Sequence, residues 1–478
     1  MGPPTVEQPP AAMPNIYIET FGCQMNEADS QYVADRAVSA GYAITAVPEE
    51  ADVLLINTCT VRNKAERRAY GRMNHFKSLK DAASHVRLVV MGCLAEQDRD
   101  RMQKLAPHVD AIFGTKELVQ LGDQLAAWQP DFSETVDFGA DRALLEPLGG
   151  TPDAITDAFS HLRAFVNVQR GCSYYCTFCI VPHVRGRFDH RPVGEIVAEV
   201  SEKIAAGARE VMLVGQTVNA WRDSVARADF GDLCKEVSRL PGLERLTFIS
   251  PHPKDFSEKM IADLAAVDAL NPRIHLPLQS ASDAVLRRMN RKYTSAQFRE
   301  KVDLIHRYLP DWAITTDVIV GFPGETEDDF QATLDYVRTN AFSNAFMFVY
   351  SIRRGTPASR WEQVPKDVAA ERFARLVEAQ NASTRAYHDR KIGKTVRALI
   401  CGPSKKDASK LTVKALDNVT IVAPKPGDYD EAAYAATPWI DLRVDAARLW
   451  GCTGTILRRA ARFGDSGRGV EAPVLSLL

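Results

Sequence analysis

Short apolar runs alternate with helical stretches along two long tracts of this chain. That alternation restricts each tract to a parallel sheet covered by helices, because parallel strands need a crossover of a dozen or more residues. In the first tract, IYIE at 16–19, DVLLI at 52–56, RLVVM at 87–91 and VDAIF at 109–113 predict the strands of a doubly wound α/β domain over 15–129. In the second, runs at 164–168, 210–214, 245–249, 273–276, 313–319 and 343–349 predict six βα units over 161–391. Six such units imply a sheet that curls, closed or partly open, with its site at the C-terminal strand ends. From about Ile392 the helices stop, and TVRALICG, LTVKALDNVTIVA and WIDLRVDAARL predict a small β-barrel over 392–458. Residues 1–14, with five prolines, and residues 459–478 read as tails. The stretch 130–160 reads as a linker: between Asp131 and Ser160 it sets seven acidic residues against Arg142 alone.

No apolar run approaches the roughly 18 residues that cross a bilayer, so a cytoplasmic protein without membrane spans is expected. Lys and Arg total 59 against 61 Asp and Glu, so binding to a polyanion must rely on local patches rather than on overall charge. The nine cysteines are an odd number without a secretion signal, which favours metal binding or catalysis over disulfides.

Three of them, Cys172, Cys176 and Cys179, stand as C-x₃-C-x₂-C in RGCSYYCTFCIVPHVRGR, directly after the first strand of the six-unit tract. Ser173, Tyr174, Tyr175 and Thr177 between them do not form a core stripe, which argues against cysteines buried merely as small hydrophobes. Two metal readings remain. His183 would complete a closed Cys₃His zinc site, whereas three thiolates alone would leave one iron of a 4Fe–4S cluster open for substrate. Cys23, Cys59 and Cys93 lie just beyond strands in TFGCQMN, INTCTVR and VMGCLAEQ, 36 and 34 residues apart. C-terminal ends of parallel strands share one edge, so these three predict a second three-thiolate site. Cys234, Cys401 and Cys452 show no such pattern and read as structural.

The C-x₃-C-x₂-C loop on a (βα)₆ series resembles the radical S-adenosylmethionine superfamily. Two three-cysteine sites, an α/β domain ahead of that barrel and a terminal β module resemble the methylthiotransferase family from Ile16 to Leu457, with the last module similar to an RNA-binding TRAM domain. TFGCQMNEADS resembles the MiaB type, which acts on tRNA; SPHPKDF (250–256), HLPLQS (275–280), DVIVGFPGET (317–326) and YSIRRGTPA (350–358) agree with the family. The chain departs from it at Thr217 in GQTVN, at Ala281, and at His183 and Val184 in PHVRG.

The resemblance implies two 4Fe–4S clusters and S-adenosylmethionine. The cluster on Cys172, Cys176 and Cys179 would reduce that cofactor to a 5′-deoxyadenosyl radical, because the aromatic C–H bond of adenine is too strong for an ordinary base. The cluster on Cys23, Cys59 and Cys93 would present a sulfur. One cofactor molecule would methylate it, and a methylthio group would reach carbon 2 of isopentenyl-adenosine at position 37 of tRNA. Threonylcarbamoyl-adenosine in tRNA and a ribosomal-protein aspartate are the alternative substrates, and a zinc-stabilised, non-enzymatic RNA-binding protein is the rival of another class. Cofactor contacts are expected from Gly215 and Gln216 after the second strand, from Gly321, Pro323, Gly324 and Glu325 after the fifth, and from Arg353 on a carboxylate. The partners expected are the tRNA anticodon loop, an electron donor such as flavodoxin or ferredoxin, and a sulfur source, with the chain a monomer. For RNA phosphates the candidates are Arg62, Lys64, Arg67, Arg68, Arg72, Lys77 and Lys80, opposed only by Glu66 and Asp81; Arg185, Arg187 and Arg191; and Lys405, Lys406, Lys410 and Lys414.

Overall fold

In the computed structural model the first alternating tract becomes one parallel sheet of β1 (Asn15–Thr20), β2 (Ala43–Ile44), β3 (Val53–Thr58), β4 (Arg87–Gly92) and β5 (Ala111–Phe113), in the order β2-β1-β3-β4-β5. The period of two along a strand divides its apolar side chains between two faces. Leu54, Ile56, Leu88 and Val90 pack with Met73 and Phe76 of α2 (Asn63–Ala82). Val53, Leu55, Val89 and Met91 pack with Val33 and Ala37 of α1 (Gln24–Ser39) and with Leu121 and Leu125 of α5 (Leu118–Ala127). Between β4 and β5 lie the short α3 (Cys93–Gln97) and α4 (Arg99–Leu105). Burial of each large side chain contributes roughly 1.5–3 kcal/mol. The two-residue β2 has no counterpart in the sequence pattern because it is too short to alternate.

The structure describes residues 13–60, 63–128, 162–340, 342–404 and 406–460. The chain divides into two compact units, one of Met1–Thr156 with His183–Gly186, the other of Asp157–Pro182 with Arg187–Leu478. The expected linker and most of both tails lie outside the described residues.

In the second unit, β6 (Arg163–Asn167), β9 (Glu210–Val214) and β12 (Arg245–Phe248) form one parallel sheet, and β13 (Arg273–His275), β14 (Ala313–Val320) and β15 (Asn344–Val349) form another. Among the described residues a single parallel bridge, Leu246 to Leu270, leads from the end of the first sheet towards the second, and β15 pairs only with β14, which makes an open, partial (βα)₆ barrel. Two small antiparallel pairs, β7 (Gln169–Arg170) with β8 (Asp189–His190) and β10 (Arg222–Asp223) with β11 (Ala228–Asp229), decorate it. Its helices are α6 (Val181–Arg185), whose last residues belong to the first unit, α7 (Val193–Ala205), α8 (Phe230–Ser238), α9 (Glu258–Ala265), α10 (Asp283–Arg288), α11 (Ser295–Tyr308), α12 (Glu327–Thr339) and α13 (Lys366–Asp389). Ile314, Val318 and Val320 of β14 face the helix-side core, and Cys234 is fully buried there.

The same unit ends in a closed barrel, β16 (Thr395–Ser404), β17 (Asp407–Ala415), β18 (Thr420–Pro424), β20 (Gly451–Arg459) and β19 (Trp439–Arg448), with α14 (Glu431–Ala436) between β18 and β19. Cys452 lies in the barrel core with Ile400, Val413, Ile421 and Leu442. Among the described residues no helix is long and apolar enough to cross a membrane.

Candidate active site

In the second unit, the loop after β7 carries Cys172, Cys176 and Cys179, and neighbouring backbone fixes it. Thr177 donates from its N–H to Met289 O (3.0 Å) and from its hydroxyl to Arg288 O (2.8 Å), while Asn290 Nδ2 reaches Tyr174 O (3.2 Å) and Tyr175 O (2.9 Å). Gln169 Oε1 accepts the Thr217 N–H (3.1 Å), and the Thr217 hydroxyl lies 3.4 Å from Cys172 Sγ. Arg291 Nη1 donates to Cys176 Sγ at 3.5 Å. Cys176 is buried and the other two thiols are half-buried. Burial pushes the Cys179 thiol up to about 12, with Cys176 and Cys172 adding to the effect, and burial also raises Cys172.

The donor set discriminates between the metal readings. A tetrahedral zinc ion, at a Zn–S distance of about 2.3 Å, needs ligand sulfurs about 3.8 Å apart. Among the described residues the only trio of candidate ligand atoms all within 4.8 Å of one another is Asp229, Asp232 and Asp263. That trio is occupied by Lys235 and Lys259. Neither cysteine trio is drawn in tightly enough for a single ion, whereas a larger inorganic core accepts a wider spread. His183 is exposed.

The C-terminal strand ends of this unit hold the other candidates. A Cβ on Gly215 would stand 2.8 Å from Gln169 O, and the buried Gln216 Oε1 has no hydrogen-bond partner among the described residues, an orphan acceptor that an ammonium group would satisfy. Gly321, at φ +67°, turns the chain after β14; a Cβ there would meet Ala369 Cβ at 2.7 Å. The Glu325 carboxylate is spent inside this turn, where Oε1 accepts the Gly321 N–H (2.9 Å) and Arg372 Nη1 (2.9 Å), and burial raises its pKa. Arg288 Nε donates to Pro323 O (3.0 Å) and packs against Gly324. Arg353 is half-buried in the loop after β15, where its carbonyl accepts the Thr356 hydroxyl (2.8 Å).

In the first unit, Cys23 caps α1 after β1, Cys59 follows β3 and Cys93 opens α3 after β4. These three parallel strands are neighbours, and the cysteines converge: Cys23 and Cys59 both act on Cys93 electrostatically, although burial is the larger reason its thiol rises to about 12. Two buried amides lock the edge. Asn26 Nδ2 donates to Asn57 Oδ1 (2.9 Å) and Thr58 O (3.1 Å), and Asn57 Nδ2 donates to Asn26 O (2.7 Å) and Ser30 Oγ (2.9 Å). Arg185 Nε donates to Cys93 Sγ at 3.2 Å while its Nη2 donates to Asp29 Oδ2 at 2.7 Å; the two charged side chains are 5% and 3% exposed.

These supports are missing from the sequence reading. Asn26, Asp29 and Ser30 stand in TFGCQMNEADS beside Cys23, which is the one signal that pointed to them. The expectation that Arg185 binds phosphate is corrected, since it is buried against Asp29 and Cys93. Arg191 is likewise held by Glu199 (2.5 Å) and Glu195 (3.7 Å), Arg72 by Glu19 (2.7 Å), and Lys80 by Asp110 (2.5 Å). Lys414 donates to Thr420 Oγ1 (2.6 Å) and Lys410 pairs with Asp407 (2.7 Å). Arg68 lies over the Phe21 ring, and Arg67 and Lys77 stay exposed on α2. Arg62, Lys405 and the side chain of Lys64 lie outside the described residues.

Residues 166–337 match the Radical SAM superfamily model, and residues 15–114 match "Uncharacterized protein family UPF0004". The radical S-adenosylmethionine methyltransferase TsrM from Kitasatospora setae superposes with a TM-score of 0.51 at 14% identity, over 73% of this chain and 77% of that one, a likeness of fold alone. Partial barrel and cysteine loop thus define a radical S-adenosylmethionine enzyme, a class that carries a 4Fe–4S cluster and binds S-adenosylmethionine. Proteins named tRNA-2-methylthio-N(6)-dimethylallyladenosine synthase are similar over most of the chain. The one from Desulfitobacterium hafniense is 39% identical over 84% of this chain and 90% of its own, and the one from Mycobacteroides abscessus is 37% identical over 97% and 93%. The chain belongs to the family of tRNA methylthiotransferases that these relatives represent.

Proposed function

We propose that this chain transfers a methylthio group to carbon 2 of N6-dimethylallyladenosine at position 37 of tRNA. The observation that carries the reading is the pair of three-cysteine groups, each set at the C-terminal edge of a parallel sheet in its own unit. The shared name of the relatives supports this substrate over threonylcarbamoyl-adenosine or a ribosomal-protein aspartate. When bound, the cofactors supply a carbon radical and an iron-held sulfur.

The protein's part is to hold and orient. Cys172, Cys176 and Cys179 hold one 4Fe–4S cluster through thiolates, and Cys23, Cys59 and Cys93 hold the second. Gln216 Oε1 receives the methionyl ammonium, Gly215 leaves room for close approach, and Arg353 takes the carboxylate. Gly321, Pro323 and Gly324 form the adenosine-side turn, which Glu325 keeps closed through Arg372. A donor such as flavodoxin or ferredoxin brings electrons, and a sulfur source refills the second site.

Mass spectrometry of tRNA nucleosides from a deletion strain, with and without the chain, tests the substrate. Loss and return of the 2-methylthio form of dimethylallyladenosine supports the proposal; a change confined to threonylcarbamoyl-adenosine, or to a ribosomal protein, overturns it. Cys172→Ala, Cys176→Ala or Cys179→Ala should abolish 5′-deoxyadenosine formation. Cys23→Ala, Cys59→Ala or Cys93→Ala should spare it and stop sulfur insertion.

A further inference from the structure

We propose that Arg185, braced by Asp29, is a positioning residue that fixes the Cys93 sulfur and sets the reduction potential of the iron–sulfur group held beside it. The inference rests on the assignment of Cys23, Cys59 and Cys93 as iron ligands. Its own ground is separate: a guanidinium only 5% exposed, donating through Nε to Cys93 Sγ at 3.2 Å and through Nη2 to Asp29 at 2.7 Å. All three residues belong to the first unit.

Two observations make this more than a structural ion pair. Burying a charged pair is costly, and an equally sized apolar pair commonly serves stability as well, so the pair calls for another role. The fork also places its Nε–H on a ligand atom, and hydrogen bonds to ligand sulfurs, together with nearby net charge, are the protein's means of tuning such a group. One electron from an external low-potential donor makes the group one unit more negative, with no bond formed or broken in the protein. A cation at hydrogen-bond distance favours that reduced state, and Asp29 offsets it.

The consequence is a pair of opposite shifts. Arg185→Met removes the cation, leaves the Asp29 carboxylate beside the sulfurs and disfavours reduction. Asp29→Asn leaves the guanidinium uncompensated and favours it. The double variant, neutral again, returns towards the parent. A merely structural pair predicts no such reversal of sign.

The experiment uses the full chain carrying Cys172→Ala, Cys176→Ala and Cys179→Ala, reconstituted with iron and sulfide, and a redox titration followed by electron paramagnetic resonance. The parent should hold about four irons, the count of one 4Fe–4S group. At fixed potential the reduced-to-oxidised ratio should fall at least tenfold in Arg185→Met and rise at least tenfold in Asp29→Asn, a tenfold change being ~59 mV for one electron. If Arg185→Met fails to retain iron, the direction in Asp29→Asn decides. Four irons with no shift, or with shifts of the same sign, overturns this inference alone. No iron in the parent overturns the ligand assignment beneath it.

Discussion

Gly92 is the last residue of β4 and directly precedes Cys93. Its backbone, at φ +105° and ψ −164°, lies in a region that only glycine adopts readily, so alanine there costs about 1–3 kcal/mol in backbone strain. The added Cβ would also stand 2.4 Å from Thr58 O and 2.9 Å from Thr58 N, on the strand that leads to Cys59. Neither atom belongs to a side chain that can swing aside, and overpacking of this kind costs a further ~1–3 kcal/mol. Gly92→Ala should therefore destabilise the first unit by roughly 4 kcal/mol, lowering its unfolding temperature by about 8–16 °C. Because relief comes by moving β4 away from β3, Cys93 should separate from Cys59, and the iron proposed at Cys23, Cys59 and Cys93 should be lost while that at the other trio stays. Calorimetry and iron analysis after anaerobic reconstitution check both parts. An unchanged unfolding temperature, or about eight irons still bound, would refute the reasoning.

Other perturbations test other parts of the structure. Arg372→Met strands the buried Glu325 carboxylate and should cost ~3–5 kcal/mol by denaturant titration, together with weaker S-adenosylmethionine binding in calorimetry. Asp417, buried against Lys391 and the Tyr387 hydroxyl (2.6 Å), keeps its pKa below the ordinary 3.8 despite the burial that opposes this. Its contribution is present above that value and is lost as pH falls through the folded pKa, so Asp417→Asn should flatten the acid limb of the unfolding curve. With the Cys93 and Cys179 thiols raised to about 12, metal loading must expel protons, and apparent iron affinity should rise about tenfold per pH unit for each proton released near neutrality. Arg67→Ala and Lys77→Ala, exposed on α2, should each reduce the salt slope of tRNA binding by about 1 in filter or anisotropy titrations.

The strands were legible because each is an apolar run bounded by turn residues; those expected at 210–214 and 313–319 appear as Glu210–Val214 and Ala313–Val320. The last barrel strand, Gly451–Arg459, was not, since GCTGTILRR carries small and basic residues and the barrel closes it through pairing with β19 and β18. The two candidate cysteine groups stood out in the sequence for different reasons, one by tight spacing and the other by the rule that parallel strands share an edge. What surrounds them was not. Arg185 lies 92 residues from Cys93 and 156 from Asp29, and a basic residue in a basic string carries no sign of being buried. Asn57 follows four apolar residues in β3, and its bonds to Asn26 and Ser30 show what it does.

Metal content of the anaerobically reconstituted chain tests the central claim most directly. About eight irons and no zinc are predicted, falling to about four when Cys23, Cys59 and Cys93 are replaced by Ala and to about four when Cys172, Cys176 and Cys179 are replaced instead. Stoichiometric zinc, or an iron count left unchanged by replacing Cys23, Cys59 and Cys93, would contradict it.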